Sequence, residues 1–149
     1  MTARGITNIA MAGLSGGGWT TVMYSAIDPR IEVSYSVAGS MPVYARSWTP
    51  PRNSLGDFEQ MRVAEMGIDY LDLYVLASTP AGRTHYGMHI VNDDCCFGGY
   101  TAMHYEQAVK NVVTAVGGYY DVVFDTTVTT HTISPWTANA IEQDVITHF

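Results

Sequence analysis

The sequence predicts an α/β protein: a mostly parallel sheet of about four strands with helices on both faces. Short apolar or β-branched runs alternate with helical patterns along the chain. Gly, Pro and Asp punctuate these segments, and no low-complexity linker or internal repeat interrupts them. The composition is that of a folded chain, with 47% hydrophobic and only 14% charged residues. Its 149 residues suit one domain, 1–149, with a real core.

The elements follow in order. Ile6 to Ala12 is a short apolar run between Gly5 and Gly13, readable as a buried strand. Gly17 to Ala26 reads as a helix that stops at Asp28-Pro29. Glu32 to Ala38, EVSYSVA, carries the β-branched and aromatic residues of a second strand. Residues 39–56, GSMPVYARSWTPPRNSLG, are rich in Pro, Gly and Ser and predict an irregular, lid-like segment. Asp57 to Glu65 and Tyr70 to Ala77 read as amphipathic helices. Thr84 to Val91 is a third strand, followed by the loop NDDCCFGGY. His104 to Val116 places Ala108, Val109, Val112, Val113 and Val116 at helical spacing, and Gly117-Gly118 stops it. Tyr120 to Phe124 is a fourth strand. Ser134-Pro135 then opens a last helix with a capping hydroxyl and a proline at its first position.

Charge and motif content exclude several functions. The net charge is −7 and the seven Lys and Arg residues are scattered, so no basic stripe exists for nucleic acid or an anionic membrane. The N-terminus is a poor signal peptide, and no apolar run approaches the roughly 20 residues that span a bilayer. Cys95 and Cys96 are adjacent, closer than the usual disulfide separation, which predicts two buried thiols in a reducing cytoplasm. They are too few ligands for zinc. His85 and His89 would chelate on a helix, but on a strand they stand too far apart to share an ion. No P-loop lysine or G-x-G-x-x-G follows the glycines, so a phosphate cradle is set aside. No metal or cofactor is expected.

The chemistry concentrates at Gly13-Leu14-Ser15-Gly16-Gly17, a G-x-S-x-G between the first strand and the first helix. A nucleophile on so sharp a turn occupies strained backbone angles, and glycine on both sides avoids collisions. The helix N-terminus points amide hydrogens and a positive dipole end at the serine. The N–H of Gly16 is placed to bind a developing oxyanion.

In this context the chain resembles the C-terminal half of the α/β-hydrolase family, from the nucleophile elbow onward: a half-size version of that fold. The family's chain order is serine, then an acid after a later strand, then a histidine after the last. The resemblance assigns Ser15, Asp93 and His131 to these roles, with Asp94 and His104 as alternates. "ND" after the third strand resembles the family's acid before a proline, which favours Asp93, although here Asp94 stands at the proline position. The implied activity is that of a serine carboxylesterase acting on small acyl esters through an acyl-enzyme. Leu14, Tyr44, Trp48 and Phe97 are the implied lining of the substrate pocket. A serine amidase or peptidase using the same residues is a further alternative.

In the family, further strands precede the nucleophile strand, and one of their loops supplies a second oxyanion amide. Only Met1 to Gly5 precede the first strand here, so the resemblance predicts that this loop is lacking. Losing one oxyanion donor typically costs a factor of roughly 10²–10³ in rate. The first strand would also become an edge, with Ile6, Ile9, Ala10 and Met11 inviting a second chain. A homodimer or a complementing chain is therefore expected. The alternative function is a catalytically incomplete half-domain used for binding or assembly, or one part of a split hydrolase.

Overall fold

Val33–Val37 is buried at every position, as a strand inside a sheet covered on both faces must be. It is β2 in a four-stranded parallel sheet of order β1-β2-β3-β4, with β1 Ala10–Leu14, β3 Thr84–Ile90 and β4 Tyr119–Asp125. A computed structural model describes residues 5–46, 56 and 58–149. The helices are α1 Gly16–Ile27, α2 Phe58–Met61, α3 Tyr70–Ala77, α4 Met103–Ala115 and α5 Pro135–His148. α1, α3 and α4 lie in the three connections between successive strands, and α5 follows β4.

Two apolar clusters divide the helices between the faces. On one, Val22 of α1, Leu73 and Tyr74 of α3 and Tyr105, Val109 and Val113 of α4 pack with Tyr120 and Val122 of β4. On the other, Val33, Tyr35, Val37 and Met88 pack against Ala140, Ile141 and Val145 of α5. α5 is also tied down by polar contacts. The Tyr35 and Tyr86 rings stack 5.3 Å apart, and both hydroxyls donate to the Asp144 carboxylate, at 2.6 and 3.0 Å. Just before β3, the buried Arg83 guanidinium gathers carbonyls from separate segments: Ile31 at 2.7 Å, Leu76 at 3.0 Å, Ser25 at 2.5 Å and also Thr79.

Local signals explain the boundaries. Asp69 accepts the N–H groups of Leu71 and Asp72, and Asp72 returns a bond to the Asp69 N–H, a complete capping box for α3. The Ser134 hydroxyl accepts the Thr137 N–H at 3.0 Å, with Pro135 at the first position of α5. β1 departs from expectation. It starts at Ala10 rather than Ile6 and runs to Leu14, because pairing with Val33–Val37, not local hydrophobicity, decides its length. Ile6 is 46% exposed. The helix expected over 57–65 is a single turn, α2, followed by a 3-10 turn, Val63–Met66, that ends at Gly67 with φ 75°. Asp57, its expected start, lies outside the described residues, as do Trp48 and half of the irregular segment. Among the described residues no helix is long and apolar enough to cross a membrane.

Candidate active site

Parallel strands deliver their C-terminal ends to one edge of the sheet, and the candidate residues lie on the loops there. Ser15 follows the last residue of β1. Its φ of 58° and ψ of −123° lie where non-glycine residues cost of order 1–3 kcal/mol. Two backbone bonds hold the bend. The Ser15 N–H donates to the Val37 carbonyl at 2.9 Å, and the Trp19 N–H donates to the Ser15 carbonyl at 2.9 Å. Gly16 opens α1, so its N–H has no partner within the helix.

The glycine requirement falls differently from the sequence reading. A Cβ on Gly13 would sit 2.3 Å from the Gly17 carbonyl oxygen, so that glycine is obligatory. A Cβ on Gly17 would meet nothing within 4 Å. The second obligatory position is Gly18, whose Cβ would lie 2.8 Å from the Val37 oxygen and 2.9 Å from the Gly39 Cα. This is where α1 crosses the end of β2, and Gly18 and Gly39 touch backbone to backbone.

Asp93 is buried just beyond β3. One carboxylate oxygen accepts the N–H groups of Cys95 and Cys96 at 2.8 and 3.0 Å; the other accepts Nδ1–H of His131 at 2.7 Å. A carboxylate only accepts, so this bond sets the His131 tautomer, with the proton on Nδ1. His131 Nε2 is buried and has no hydrogen-bond partner. The structure thus joins Asp93 to His131 but draws no hydrogen bond from either to the Ser15 hydroxyl. Asp94 is exposed, and its N–H donates to the Thr129 carbonyl at 3.2 Å, tying the two loops together. His104 is exposed in the first turn of α4.

The implied pocket residues scatter. Leu14 packs into the cluster beneath α5. Tyr44 is 70% exposed on a 3-10 turn, Val43–Ala45. Phe97 is in the core, under the Arg46 guanidinium at 5.2 Å, rather than on an open wall. The cysteines correct the sequence reading outright. Cys95 and Cys96 form a disulfide across a Cα separation of 3.7 Å, and Cys95 is exposed. The turn that wraps one Asp93 oxygen brings both residues together. The thiol argument for a cytoplasmic location falls with this bond. His85 and His89 are buried on β3, and burial pushes them down to about 3 and about 4, keeping both rings neutral.

One residue that holds the His131 loop was missed. Asp125 ends β4 and is buried. Its carboxylate accepts the Thr127 N–H and hydroxyl at 2.7 and 2.6 Å, the Thr137 hydroxyl at 2.6 Å and the Ser134 hydroxyl. Burial pushes this carboxyl up, but the bonds from Ser134, Thr127 and Thr137 outweigh it and hold it below the usual range. Both ends of the loop carrying His131 are pinned to one side chain. An acid at a strand end followed by Thr126-Thr127, with Ser134 and Thr137 downstream, was the available signal.

Several solved structures share the fold. Est1E from Butyrivibrio proteoclasticus is similar at TM-score 0.62 and 17% identity, over 99% of this chain and 65% of its own. Acetyl xylan esterase 1 from Thermoanaerobacterium sp. JW/SL YS485 gives 0.59 and 15%, over 96% and 46%. SOBER1 of Arabidopsis thaliana gives 0.57 and 14%, over 99% and 57%. The fold is that of the α/β-hydrolases. The chain spans about half to two thirds of the length of these structures. No family model and no curated protein matches the chain.

Proposed function

We propose that the chain is a serine hydrolase of carboxylesterase type, acting on small acyl esters. The observation that carries this is the Asp93–His131 pair, whose unpartnered Nε2 sits at the same sheet edge as the strained Ser15. In this reading His131 Nε2 takes the Ser15 proton as the hydroxyl attacks the ester carbonyl. Asp93 holds the imidazole in the tautomer that leaves Nε2 free and stabilises the imidazolium that forms. The N–H of Gly16 donates to the oxyanion, and the α1 dipole favours the same charge. His131 returns its proton to the leaving alcohol. The acyl-Ser15 ester then remains, and water activated by the same nitrogen hydrolyses it. Turnover of an aryl acetate by the wild-type chain, lost in Ser15→Ala with the fold intact by circular dichroism, is the expected result; turnover unchanged in Ser15→Ala sinks the reading.

A second reading is favoured by β1. Among the described residues β1 pairs only with β2, and Ala10 and Ala12 are exposed. In this account another chain, a second copy or a complementing one, adds to that edge and the chain serves in assembly or within a split hydrolase. Folded protein without esterase activity that gains it on mixing with a complementing chain is the result specific to this reading.

A further inference from the structure

The disulfide has no part in the proposed hydrolysis, yet it lies beside His131, which does. One ligating atom each from Cys95, Cys96 and His131 lie within 4.8 Å of one another. His131 Nε2 is buried and unpartnered, while Nδ1–H is held by Asp93. A histidine whose second nitrogen donates to a carboxylate is the usual form of a metal-ligating histidine, since the carboxylate orients the ring and raises its basicity. Two sulfurs and one imidazole are donors that a borderline-soft divalent cation prefers. Cys95 is exposed, so the cluster is open to solvent on one side.

We infer that Cys95, Cys96 and His131 form a redox-gated site for a thiophilic divalent cation of the zinc class. In the oxidised chain the sulfurs are bonded to each other and carry no ligating charge. A small-molecule thiol opens the site: two equivalents supply two electrons and two protons, the Sγ–Sγ bond breaks, Cys95 and Cys96 become thiols, and the reductant leaves as its own disulfide. Binding of the cation then releases two protons as two metal–thiolate bonds form, and neutral Nε2 of His131 gives the third. A water completes four-coordination. The cation occupies the lone pair that a general base needs, so the bound state is incapable of accepting the Ser15 proton. Binding itself does not depend on the hydrolase reading.

The test titrates Cd²⁺ into the untagged chain and follows the thiolate-to-metal charge-transfer absorbance. It is run on the oxidised chain and on chain reduced and then freed of reductant under anaerobic conditions. A band saturating at one equivalent in the reduced chain, absent from the oxidised chain and from the Cys95→Ser/Cys96→Ser double variant, supports the site. Asp93→Asn should weaken binding by about 10–100-fold, as loss of the carboxylate behind a ligating histidine does. No band after reduction, or equal binding in the oxidised chain or the double variant, overturns it. So does a reduced chain that has lost its fold, or whose affinity is indifferent to Asp93→Asn and His131→Gln, because its thiols would then bind as a flexible pair. Since absorbance reports binding directly, failure of the esterase assay leaves this result readable.

Discussion

Asp93 and His131, 38 residues apart in the chain, are joined by a 2.7 Å hydrogen bond from Nδ1–H to the carboxylate. The bond exists because two loops from adjacent strands meet at one sheet edge, where the Asp94 N–H also reaches the Thr129 carbonyl. It leaves Nε2 as the only nitrogen with a free lone pair.

Replacing Asp93 with Asn removes the acceptor that fixes this tautomer while keeping its shape. If Asp93 has the proposed role, the expected loss in kcat on an aryl acetate is about 10⁴-fold, the cost of the same change in a serine protease triad. KM and the thermal midpoint should change little. Asp94→Asn keeps its backbone bond to Thr129 and should leave kcat unchanged. Steady-state kinetics on both variants separates the two carboxylates.

The elbow makes a sharp pair of predictions. Gly17→Ala adds a methyl to open space in a helix, where alanine is favoured over glycine by roughly 0.5–1 kcal/mol, so stability should hold or rise. Gly18→Ala drives a Cβ to 2.8 Å from the Val37 oxygen and should cost about 1–3 kcal/mol or more. Urea unfolding of the two variants side by side measures the difference.

Asp125 links stability to pH. Its carboxyl is held below its ordinary value of 3.8, so the folded state favours the charged form. The stabilisation is fully present above the unfolded value and is lost as pH falls through the lower folded one. Acid unfolding of the wild type below about pH 4 should therefore be steeper than in Asp125→Asn, which carries no titrating group there. At neutral pH the variant should be destabilised by about 1–3 kcal/mol, because its amide nitrogen faces hydroxyls that had an acceptor. It should also lower kcat by freeing the His131 loop. Denaturant titrations between pH 2.5 and pH 7, a range about the ordinary carboxylate values, give both results.

The β1 edge predicts self-association. Among the described residues β1 pairs only with β2, and its exposed Ala10 and Ala12 lie on an edge that a second chain can join. Sedimentation velocity at micromolar concentration should show a species larger than the monomer, and Ala12→Lys should shift it towards monomer. A wild-type chain that stays monomeric across the series contradicts the edge account.

The bounds of α3 were legible at both ends because an apolar run begins after Asp69 and stops before Ser78-Thr79-Pro80. β1 was misplaced by several residues because Ile6 is as apolar as any strand residue. What decides its end is pairing with β2 across the α1 crossover, which no local window contains. Gly18 was overlooked in favour of Gly17 because the crowding comes from Val37 and Gly39, on another strand. Asp125 was overlooked because its partners come from both sides of a loop that the sequence shows only as polar. The cysteines were read by separation alone, whereas the turn around Asp93 sets their geometry. Composition and spacing reveal periodic elements; contacts between segments come from the folded chain.

The most direct measurement is the location of the adduct formed by a fluorophosphonate probe, mapped by peptide mass spectrometry. Such probes phosphonylate only a serine activated by a neighbouring base. The account predicts a single adduct on Ser15, slowed strongly in His131→Gln and absent in Ser15→Ala. A folded chain that forms no adduct, or forms it on another residue, contradicts the claim that the bend at Ser15 presents its hydroxyl to His131.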